Sequence, residues 1–275
     1  AYSSRHVSDW IKSIIYTYLR RNNILIPTSK ELRRGGLLKR SVEGALTIAP
    51  KSGVYFNTVV TDFESLYPSV IDSYNLSYET IDCEHEECRK NTTSGVSHHV
   101  CTKRRGFYSV LTGALKDLRI HWFKPLSNDP SISEEERRLA EALSKLLKLL
   151  TVSSYGVTVR IHGLASTSLA ESITGYGRCV LQTAWNMAEA HGLRPTYGDT
   201  DSLFLDNPSE KGVQWLTETV KERLRLDLAV EKQYSVCVLP KAKKAYFGIL
   251  EDGTPDIKGL TVIKSNSPKF FQRVF

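Results

Sequence analysis

The sequence lacks any apolar stretch that could cross a membrane, because no run approaches the roughly 18–20 consecutive apolar residues that a spanning helix needs. No apolar segment follows the N-terminal Ala1-Tyr2-Ser3-Ser4-Arg5-His6, so we expect no signal peptide in this stretch. These two absences argue against a membrane partner. The chain begins at Ala1 with no initiator methionine, so we expect it to be a piece cut from a longer protein.

The chain has few cysteines, and its acidic residues are fewer than its basic residues. The five cysteines are odd in number and three of them cluster, which fits a reducing compartment, and hence the cytoplasm, better than a disulfide framework. There are 30 Asp and Glu against 37 Lys and Arg, and the net charge is +7. That balance suits a polyanionic partner such as nucleic acid, although many basic proteins bind none.

The hydrophobic pattern predicts a mixture of helices and strands. Apolar residues at helical spacing predict helices over about 5–22, 108–125, 133–151, 166–191 and 209–226. Strands are predicted over 54–61, into Tyr197, and over 202–205, 229–238, 244–250 and 256–263. Ser133 and Glu136 form a capping box that marks the start of the third helix. We therefore predict an α+β fold in which helices back an antiparallel sheet and two consecutive helices project as an antiparallel pair.

Two acidic signatures stand far apart in the sequence, each at the end of a predicted strand. The first is the run Asp62-Phe63-Glu64-Ser65-Leu66-Tyr67-Pro68-Ser69, and the second is Tyr197-Gly198-Asp199-Thr200-Asp201-Ser202. A single Asp at a strand end is usually only a turn former. Carboxylates brought together from distant strands, however, are the ligands that a pair of Mg²⁺ ions uses in phosphoryl transfer.

These two runs resemble the palm motifs of B-family DNA polymerases, Asp-x-x-Ser-Leu-Tyr-Pro-Ser and Tyr-Gly-Asp-Thr-Asp-Ser, and they occur in the family's order. The resemblance covers about residues 20–270, and the run Asn75-Leu76-Ser77-Tyr78-Glu79-Thr80 is similar to crenarchaeal, hence archaeal, members. It implies that Asp62 and Asp201 bind two Mg²⁺ ions as catalytic residues. It also implies that Asp199, the third catalytic acid, sits beside them and contributes charge more than direct ligation.

The resemblance further implies a nucleotide site that follows the first acidic signature. The backbone amides of Ser65, Leu66 and Tyr67 would hold triphosphate oxygens. The ring of Tyr67 would pack under the deoxyribose and exclude a ribose 2′-hydroxyl by its volume, because the extra oxygen would clash and find no partner.

The predicted helix pair resembles the fingers of the same polymerases. The run from Lys148 to Gly156 is similar to the family's Lys-x-x-x-Asn-Ser-x-Tyr-Gly motif, and Arg119 stands where the family has a triphosphate-binding arginine. By this resemblance Arg119 and Lys148 would neutralise charge on the leaving pyrophosphate. Tyr155 and Gly156 would line the nascent base pair. Basic residues on helices are otherwise solvated faces most of the time.

Two basic segments near the C-terminus resemble the family's DNA-contacting elements. Lys243-Lys244-Ala245-Tyr246 is similar to a Lys-Lys-x-Tyr element that grips the primer strand, and Lys258-Gly259 is similar to a further DNA-contacting element. Standing alone, these lysines would be an ordinary strand surface. Contacts of this kind with the DNA backbone give affinity that depends on salt and not on sequence.

Three positions depart from the family's pattern. Val42 replaces a Tyr that contacts the template, and Val152 replaces the Asn of the fingers motif. The Lys that often stands four residues after the arginine is Phe123 here, with Lys124 next to it. Loss of one polar contact costs on the order of 1–3 kcal/mol, so these changes would weaken nucleotide binding or rate without abolishing the chemistry.

We predict three segments and the partners that go with them. Residues 1–104 would form an N-terminal segment and the first part of the palm with an insertion loop, 105–156 the fingers, and 157–275 the rest of the palm. No Asp-x-Glu exonuclease signature precedes the palm and no thumb follows Phe275, so we expect both domains to be absent from this chain. The resemblance implies primer–template DNA and dNTP as partners, a sliding clamp or accessory subunits acting through the parent chain, and a place at the nucleoid.

The insertion loop is rich in cysteine and histidine. Cys83, His85, Cys88, His98, His99 and Cys101 offer three thiolates and three imidazoles within a short stretch. Zn²⁺ takes four such ligands in a tetrahedron, and Cys83, Cys88 and Cys101 with His98 or His99 would suffice. The loop is thus a candidate structural zinc site, with His99 as the candidate fourth ligand. The spacing is irregular, and a polar loop with incidental thiols is the alternative.

The sequence thus predicts a DNA-directed DNA polymerase that transfers deoxynucleotides from dNTP to a primer 3′-hydroxyl by a two-metal mechanism. A rival hypothesis is a catalytically weakened, polymerase-derived module for DNA binding or assembly, which the departures at Val42, Phe123 and Val152 favour. A third is another two-metal enzyme such as a nuclease. Tyr67 and the Lys148–Gly156 run oppose that hypothesis, because a nuclease needs neither a sugar gate nor a triphosphate clamp.

Overall fold

The computed structural model describes residues 6–25, 42–160 and 164–260. The chain divides into two compact units. The first unit comprises Ala1–Gly44 and Ser65–Tyr176, and the second comprises Ala45–Glu64 and Gly177–Phe275. The predicted fingers segment, 105–156, falls within the first unit, and its limits as a subdomain stay a prediction.

The second unit is built on one antiparallel sheet. Its strands are β1 (Thr47–Ile48), β2 (Gly53–Phe63), β3 (Pro195–Asp199), β4 (Ser202–Leu205), β5 (Leu228–Leu239), β6 (Tyr246–Leu250) and β7 (Pro255–Lys258). They lie in the order β1-β3-β4-β2-β5-β6-β7, and every neighbouring pair is antiparallel. The α+β fold predicted from the pattern is confirmed. The predicted end of the last strand, beyond residue 260, lies outside the described residues.

The core of this unit is an aromatic cluster that gathers side chains from four strands. Tyr197, Phe204 and Tyr234 are fully buried there with Val60 and Cys237. Val60 and Tyr197 are each paired with Phe204 across the sheet, and residues directly opposite each other lie on the same face. Burial of this apolar face fixes the pairing register of β2 and β4, because a slip of one residue would turn these side chains toward solvent.

A helix packs against this sheet. Helix α6 (Glu210–Leu224, taking the helices in chain order) buries Val213, Leu216 and Val220, whose spacing of three and four residues makes one apolar stripe. Its first turn is capped by Ser209, whose hydroxyl accepts the Gly212 N–H over 3.1 Å. The helix predicted over 209–226 is confirmed.

The first unit is helical. Its helices are α1 (Val7–Arg21), α2 (Leu66–Ser73), α3 (Phe107–Asp117), α4 (Glu134–Arg160) and α5 (Thr167–Ala190), the last of which continues into the second unit. Ile11, Ile15 and Leu19 recur every fourth residue on α1 and are buried. Within the described chain, no helix is long and apolar enough to span a bilayer.

Helix α4 begins as predicted and ends later. The capping box forms, because the Ser133 N–H donates to the Glu136 carboxylate over 3.0 Å and the Glu136 N–H donates to the Ser133 hydroxyl over 3.2 Å. The predicted end at residue 151 is wrong, since the helix runs to Arg160. Serine and glycine in 153–156 are weak helix formers, but Val157 and Thr158 beyond them are buried, and this packing outweighs propensity.

Candidate active site and Cys/His cluster

The first candidate site, which we call the carboxylate edge, consists of Asp62, Asp199 and Asp201. Strands β2 and β4 pair so that Asp62 lies opposite Ser202, the residue after Asp201. The N–H of Phe63 donates to the Asp201 carbonyl over 2.9 Å. The antiparallel register therefore brings Asp62, near the end of β2, next to Asp201, in the turn before β4, although the two residues are distant in the sequence.

The carboxyl group of Asp201 lies in surroundings that disfavour its charge. Burial raises the pKa of Asp201 above its ordinary value, and the nearby Asp199 and Glu231 raise it further, while Lys244 opposes them. A raised carboxyl pKa means that the folded protein stabilises the ionised form less than water does. A divalent cation would reverse this, because it is the largest local charge wherever it binds. Asp201 is therefore a carboxyl group whose ionised form a nearby cation would stabilise.

The carboxylate of Asp199 is occupied by other groups. Lys244 Nζ donates to Asp199 Oδ1 over 2.5 Å, and Thr47 Oγ1 donates to the same oxygen over 3.1 Å. Thr47 is placed for this contact because β1 pairs it directly with Asp199. An oxygen that accepts from an ammonium and a hydroxyl is less available to a metal. This arrangement supports a charge-contributing role for Asp199.

The predicted primer-gripping lysines are anchored to the same edge. The Lys243 ammonium donates to the Thr47 carbonyl over 3.0 Å, and the Lys244 N–H donates to the Tyr197 hydroxyl over 2.9 Å. Gly259 has φ 62°, and a β-carbon there would lie 1.8 Å from the Lys244 carbonyl oxygen. Gly259 therefore has a packing reason to be glycine: its backbone lies directly against the Lys244 segment.

The other predicted DNA-contacting residues lie on the last hairpin. Tyr246 and Lys258 are paired across β6 and β7. The Tyr246 ring meets Phe204 edge-on at 5.1 Å between centroids, and burial raises its pKa to about 12. Tyr246 therefore packs on the aromatic core, whereas the Lys258 side chain is exposed to solvent.

The second candidate site, in the first unit, surrounds the start of α2. Ser65 precedes the helix in a left-handed conformation with φ 57°, and its own side chain does not cap the helix start. Arg119 Nη1 donates to Ser65 Oγ over 3.5 Å. Helix N–H groups and a guanidinium are both donors for anionic oxygens. Leu66 offers only its backbone here, because its side chain is buried.

Two tyrosines meet beside this helix start. The rings of Tyr67 and Tyr155 lie 5.0 Å apart between centroids, tilted by 41°. Lys148, Val152 and Tyr155 recur at helical spacing on α4 and therefore share one face. Lys148 is exposed on this face, and Val152 is 61% exposed, so Val152 does not serve core packing.

The backbone of the predicted first fingers helix changes type at Arg119. Residues Leu118–Phe123 form a π-helix, and the N–H of Lys124 donates to the Arg119 carbonyl, five residues back. Pro125 explains the widening, because a proline inside a helix lacks an N–H and crowds the carbonyl four residues before it. The extra residue in the turn places Lys124, rather than Phe123, one turn after Arg119.

Comparison with known proteins decides the family. The sequence model described as "DNA polymerase family B" matches residues 4–275. The chain belongs to DNA polymerase family B. The resemblance predicted from the palm motifs is therefore confirmed.

The relatives of this family B chain include several archaeal polymerases. It is 39% identical over 281 residues to DNA polymerase 1 of Sulfurisphaera ohwakuensis, a match that covers 98% of this chain and 32% of the relative. It is 35% identical over 280 residues to DNA polymerase 1 of Aeropyrum pernix, covering 98% and 29%. The structure is similar to the family B DNA polymerase of the hyperthermophilic archaeon Pyrobaculum calidifontis, with TM-score 0.70, 28% identity, and coverage of 98% and 37%. The chain spans about a third of the length of these relatives.

The insertion loop of this family B chain gathers its three clustered thiols. Cys83, Cys88 and Cys101 are buried together, and the nearest imidazole is that of His85. The Thr102 hydroxyl and N–H, at 3.4 Å and 3.3 Å from the Cys88 sulfur, lower the Cys88 pKa to about 7. Burial raises the pKa of Cys83.

The prediction that His98 or His99 stands beside these thiols differs from the structure. His98 lies between two carboxylates, with Nδ1 2.6 Å from Asp82 and Nε2 3.2 Å from Glu171. The two ring nitrogens of His99 face Asp82, at 3.3 Å, and the Cys83 carbonyl, at 2.9 Å. Both imidazoles are therefore held by oxygen partners, and His85 takes the place expected for His99.

Sequence reasoning missed the position of Lys124 in the π-turn, the effect of Glu231 on the Asp201 pKa and the place of His85. Pro125 was the available signal for the π-turn, because proline inside a predicted helix marks a break or a kink. No local signal pointed to Glu231, whose effect on Asp201 depends on the pairing of distant strands. His85 stands in the Cys-x-His-x-x-Cys run, but only the fold separates it from two other histidines.

Proposed function

We propose that this family B chain is the palm and fingers of a DNA-directed DNA polymerase, which extends a primer 3′-hydroxyl with deoxynucleotides under the direction of a template. The observation that carries the proposal is the strand register that pairs Asp62 with the residue next to the half-buried Asp201. Primer–template DNA and dNTP are then the substrates. The protein would work at the nucleoid, where a sliding clamp or accessory subunits would reach it through the rest of the protein.

Asp62 and Asp201 fit a pair of Mg²⁺ ions by the chemistry of their donors. Both offer hard carboxylate oxygens, and burial leaves the Asp201 charge poorly compensated without a cation. Bound Mg²⁺ would activate the primer hydroxyl and stabilise the leaving pyrophosphate. Lys244 holds Asp199 close by, so that Asp199 contributes negative charge without competing for the ions.

The groups around the start of α2 would bind the nucleotide. The backbone amides after Ser65, the Arg119 guanidinium and the Lys148 ammonium would bind triphosphate oxygens. Because Arg119 already reaches Ser65, it would approach the phosphates from the side of this helix start. The Tyr67 ring, supported by Tyr155, would form the sugar gate.

The exposed DNA-facing groups would bind the duplex without reading its sequence. Lys243, Lys244 and Lys258 are exposed and would contact phosphates. We therefore expect affinity for primer–template DNA to fall steeply with rising salt.

The second candidate, a catalytically weakened module, is favoured by the exposed Val152, which can donate no hydrogen bond to a phosphate. Primer extension by the protein in its natural full-length form, with Mg²⁺ and all four dNTPs, separates the candidates. Template-directed extension supports the polymerase. Salt-dependent DNA binding with no extension would establish the weakened module, and DNA cleavage without dNTP would establish a nuclease.

Replacement of Lys124 tests the π-turn. We expect Lys124→Ala to raise the KM for dNTP about tenfold, since a hydrogen bond to a charged group contributes roughly 1.5–3 kcal/mol. Phe123→Ala, the matched control at the family's usual position, should leave the KM nearly unchanged. Steady-state single-nucleotide incorporation measures both. If Phe123→Ala raises the KM for dNTP more than Lys124→Ala does, Lys124 does not replace the lysine that the family often has at position 123.

Replacement of Gly156 separates stability from activity. A β-carbon at Gly156 would meet no atom of the described residues within 4 Å, so alanine fits the fold. We expect Gly156→Ala to raise the free energy of unfolding by about 0.5–1 kcal/mol, the usual gain from replacing glycine inside a helix. Extension should nevertheless slow about tenfold, because the methyl group would crowd the base pair, and 1.4 kcal/mol is a factor of ten.

Denaturant melts and single-nucleotide kinetics measure the two effects of Gly156→Ala. Leu149→Ala is the control, because Leu149 is exposed on the same helix and has no proposed role. Unchanged kinetics in Gly156→Ala would contradict a base-pair contact at this glycine.

A further inference from the structure

The insertion loop brings four soft donors to one point. The sulfurs of Cys83, Cys88 and Cys101 and a ring nitrogen of His85 all lie within 4.8 Å of one another. His85 Nδ1 is 3.5 Å from the Cys101 sulfur. A tetrahedral zinc ion with sulfur bonds of ~2.3 Å holds its ligands roughly 3.8 Å apart. Among the described residues this is the one group of three or more His, Cys, Asp or Glu gathered so closely.

We infer that Cys83, His85, Cys88 and Cys101 bind one Zn²⁺ ion as a structural site. Three thiolates and an imidazole are the soft and borderline ligands that select zinc, whereas Mg²⁺ and Ca²⁺ take oxygen. Four protein ligands complete the tetrahedron and leave no position for a substrate. The site is therefore distinct in chemistry and purpose from the carboxylate edge.

Backbone hydrogen bonds place the four ligands in advance. Residues Ile81 and Val100 form an antiparallel bridge, and the Cys101 N–H donates to the Thr80 carbonyl over 2.8 Å. This bridge sets the Cys83 side of the loop against the Cys101 side. The Cys88 N–H donates to the His85 carbonyl over 3.1 Å. The turn that this bond closes accompanies the approach of the His85 ring and the Cys88 thiol to Cys83 and Cys101.

Groups behind the ligands support them as the outer shell of a metal site does. The Thr102 N–H donates to the Cys88 sulfur over 3.3 Å, a bond that suits a thiolate. His99 bridges the Asp82 carboxylate and the Cys83 carbonyl, and so steadies the first ligand without binding the metal. A Cys₃His site with Zn²⁺ carries one negative charge, and the basic run Lys103-Arg104-Arg105 follows immediately.

The metal would fix the start of α3, the helix that leads to Arg119. Asn75 donates its amide to the carbonyls of Cys101 and Arg104, over 3.0 Å and 2.8 Å, and accepts the Gly106 N–H over 2.8 Å. The Phe107 N–H donates to the Glu79 carboxylate over 2.6 Å. The exit of the zinc loop and the first turn of α3 are thus bound by the same short segment, residues 75–79.

Metal analysis of the full-length protein, purified without added metal and dialysed against a mild chelator, tests the inference. We expect one zinc ion per chain in the wild type, and its loss in Cys83→Ser, Cys88→Ser and Cys101→Ser. The matched pair is His85→Gln and His99→Gln. His99→Gln removes only an outer-shell group and should lower zinc affinity by no more than about 10- to 100-fold, whereas His85→Gln removes a ligand and should lower it further. Cys179→Ser, which changes a thiol outside the cluster, should retain the metal.

A spectroscopic readout keeps the test independent of variant folding. Wild-type protein reconstituted with Co²⁺ should show the strong visible bands of a tetrahedral site and a sulfur-to-cobalt charge-transfer band. Removal of zinc should lower the melting temperature on the order of 5 °C, because the metal binds only the folded loop. Neither measurement depends on polymerase activity, so the inference can fail while the proposed function stands.

Three results would overturn the inference. A metal-free protein in which two of the three clustered thiols resist alkylation until reduced would show a disulfide instead. A metal-free protein with all thiols reactive would show an unmetallated loop. If His85→Gln retains zinc and His99→Gln loses it, the fourth zinc ligand is His99 and not His85.

Discussion

Replacing Asp201 with asparagine should abolish primer extension, lowering the rate about a thousandfold or more, because metal stabilisation of the transition state contributes several kcal/mol. Asp62→Asn should have the same effect, since Asp62 pairs with Ser202, the residue next to Asp201. DNA binding should survive both changes, because it depends on the exposed lysines. Single-turnover extension and DNA binding at matched salt measure the two properties.

The same Asp201→Asn substitution should stabilise the metal-free protein. Burial raises the folded-state pKa of Asp201 above its unfolded value, so the folded chain binds more protons between the two values. The free energy of unfolding of the wild type therefore falls as the pH rises through that interval. The asparagine variant has no carboxyl group at this position and does not show this fall. Thermal melts with a chelator, from about pH 4 to pH 8, should show a higher melting temperature for the variant, with the gain growing as the pH rises.

Asp227→Asn is the matched control for the carboxylate edge. Asp227 belongs to the same unit, is exposed and pairs with Lys221 at 3.0 Å. An exposed pair of this kind contributes about 0–1 kcal/mol, so extension and stability should both stay near wild type. Extension by Asp201→Asn at the wild-type rate would remove Asp201 from the catalytic site.

Replacing Tyr67 with alanine should raise the ratio of ribonucleotide to deoxynucleotide incorporation about a hundredfold. The expected size follows from the roughly 10- to 200-fold discrimination that a pocket wall gives against one small group. The ring of Tyr67 packs on that of Tyr155 at 5.0 Å, so it is held in place before a nucleotide arrives. The measurement is kcat/KM for a matched rNTP and dNTP on the same primed template.

Tyr67→Phe separates the volume of the ring from its hydroxyl. The phenyl ring keeps the contact with Tyr155, and the discrimination should remain within a few fold of wild type. A large loss in Tyr67→Phe would assign the gate to the hydroxyl. If Tyr67→Ala still rejects ribonucleotides as well as the wild type does, the gate lies elsewhere.

The local elements were predictable because their signals are local. Apolar spacing located α1 and α6, the alternating and β-branched runs located β2 and β4, and the capping box located the start of α4. The end of α4 was mispredicted because burial of Val157 and Thr158, which no local rule contains, outweighs weak helix formers. The change from α-helix to π-helix at Arg119 was missed because it depends on how one proline is accommodated inside a helix.

The sequence by itself determined the family, the α+β class and the carboxylates and thiols that are candidate metal ligands, because motifs and periodicity are properties of neighbouring residues. Only the tertiary structure decided how those residues are used. Strand pairing set Asp62 beside Asp201, Lys244 engaged Asp199, and the π-turn moved Lys124 into the turn after Arg119. Three histidines in one loop look equivalent in a sequence, but His98 and His99 are held by oxygen partners. His85 alone lies among the thiols, because contacts between distant segments are set by the whole packed chain.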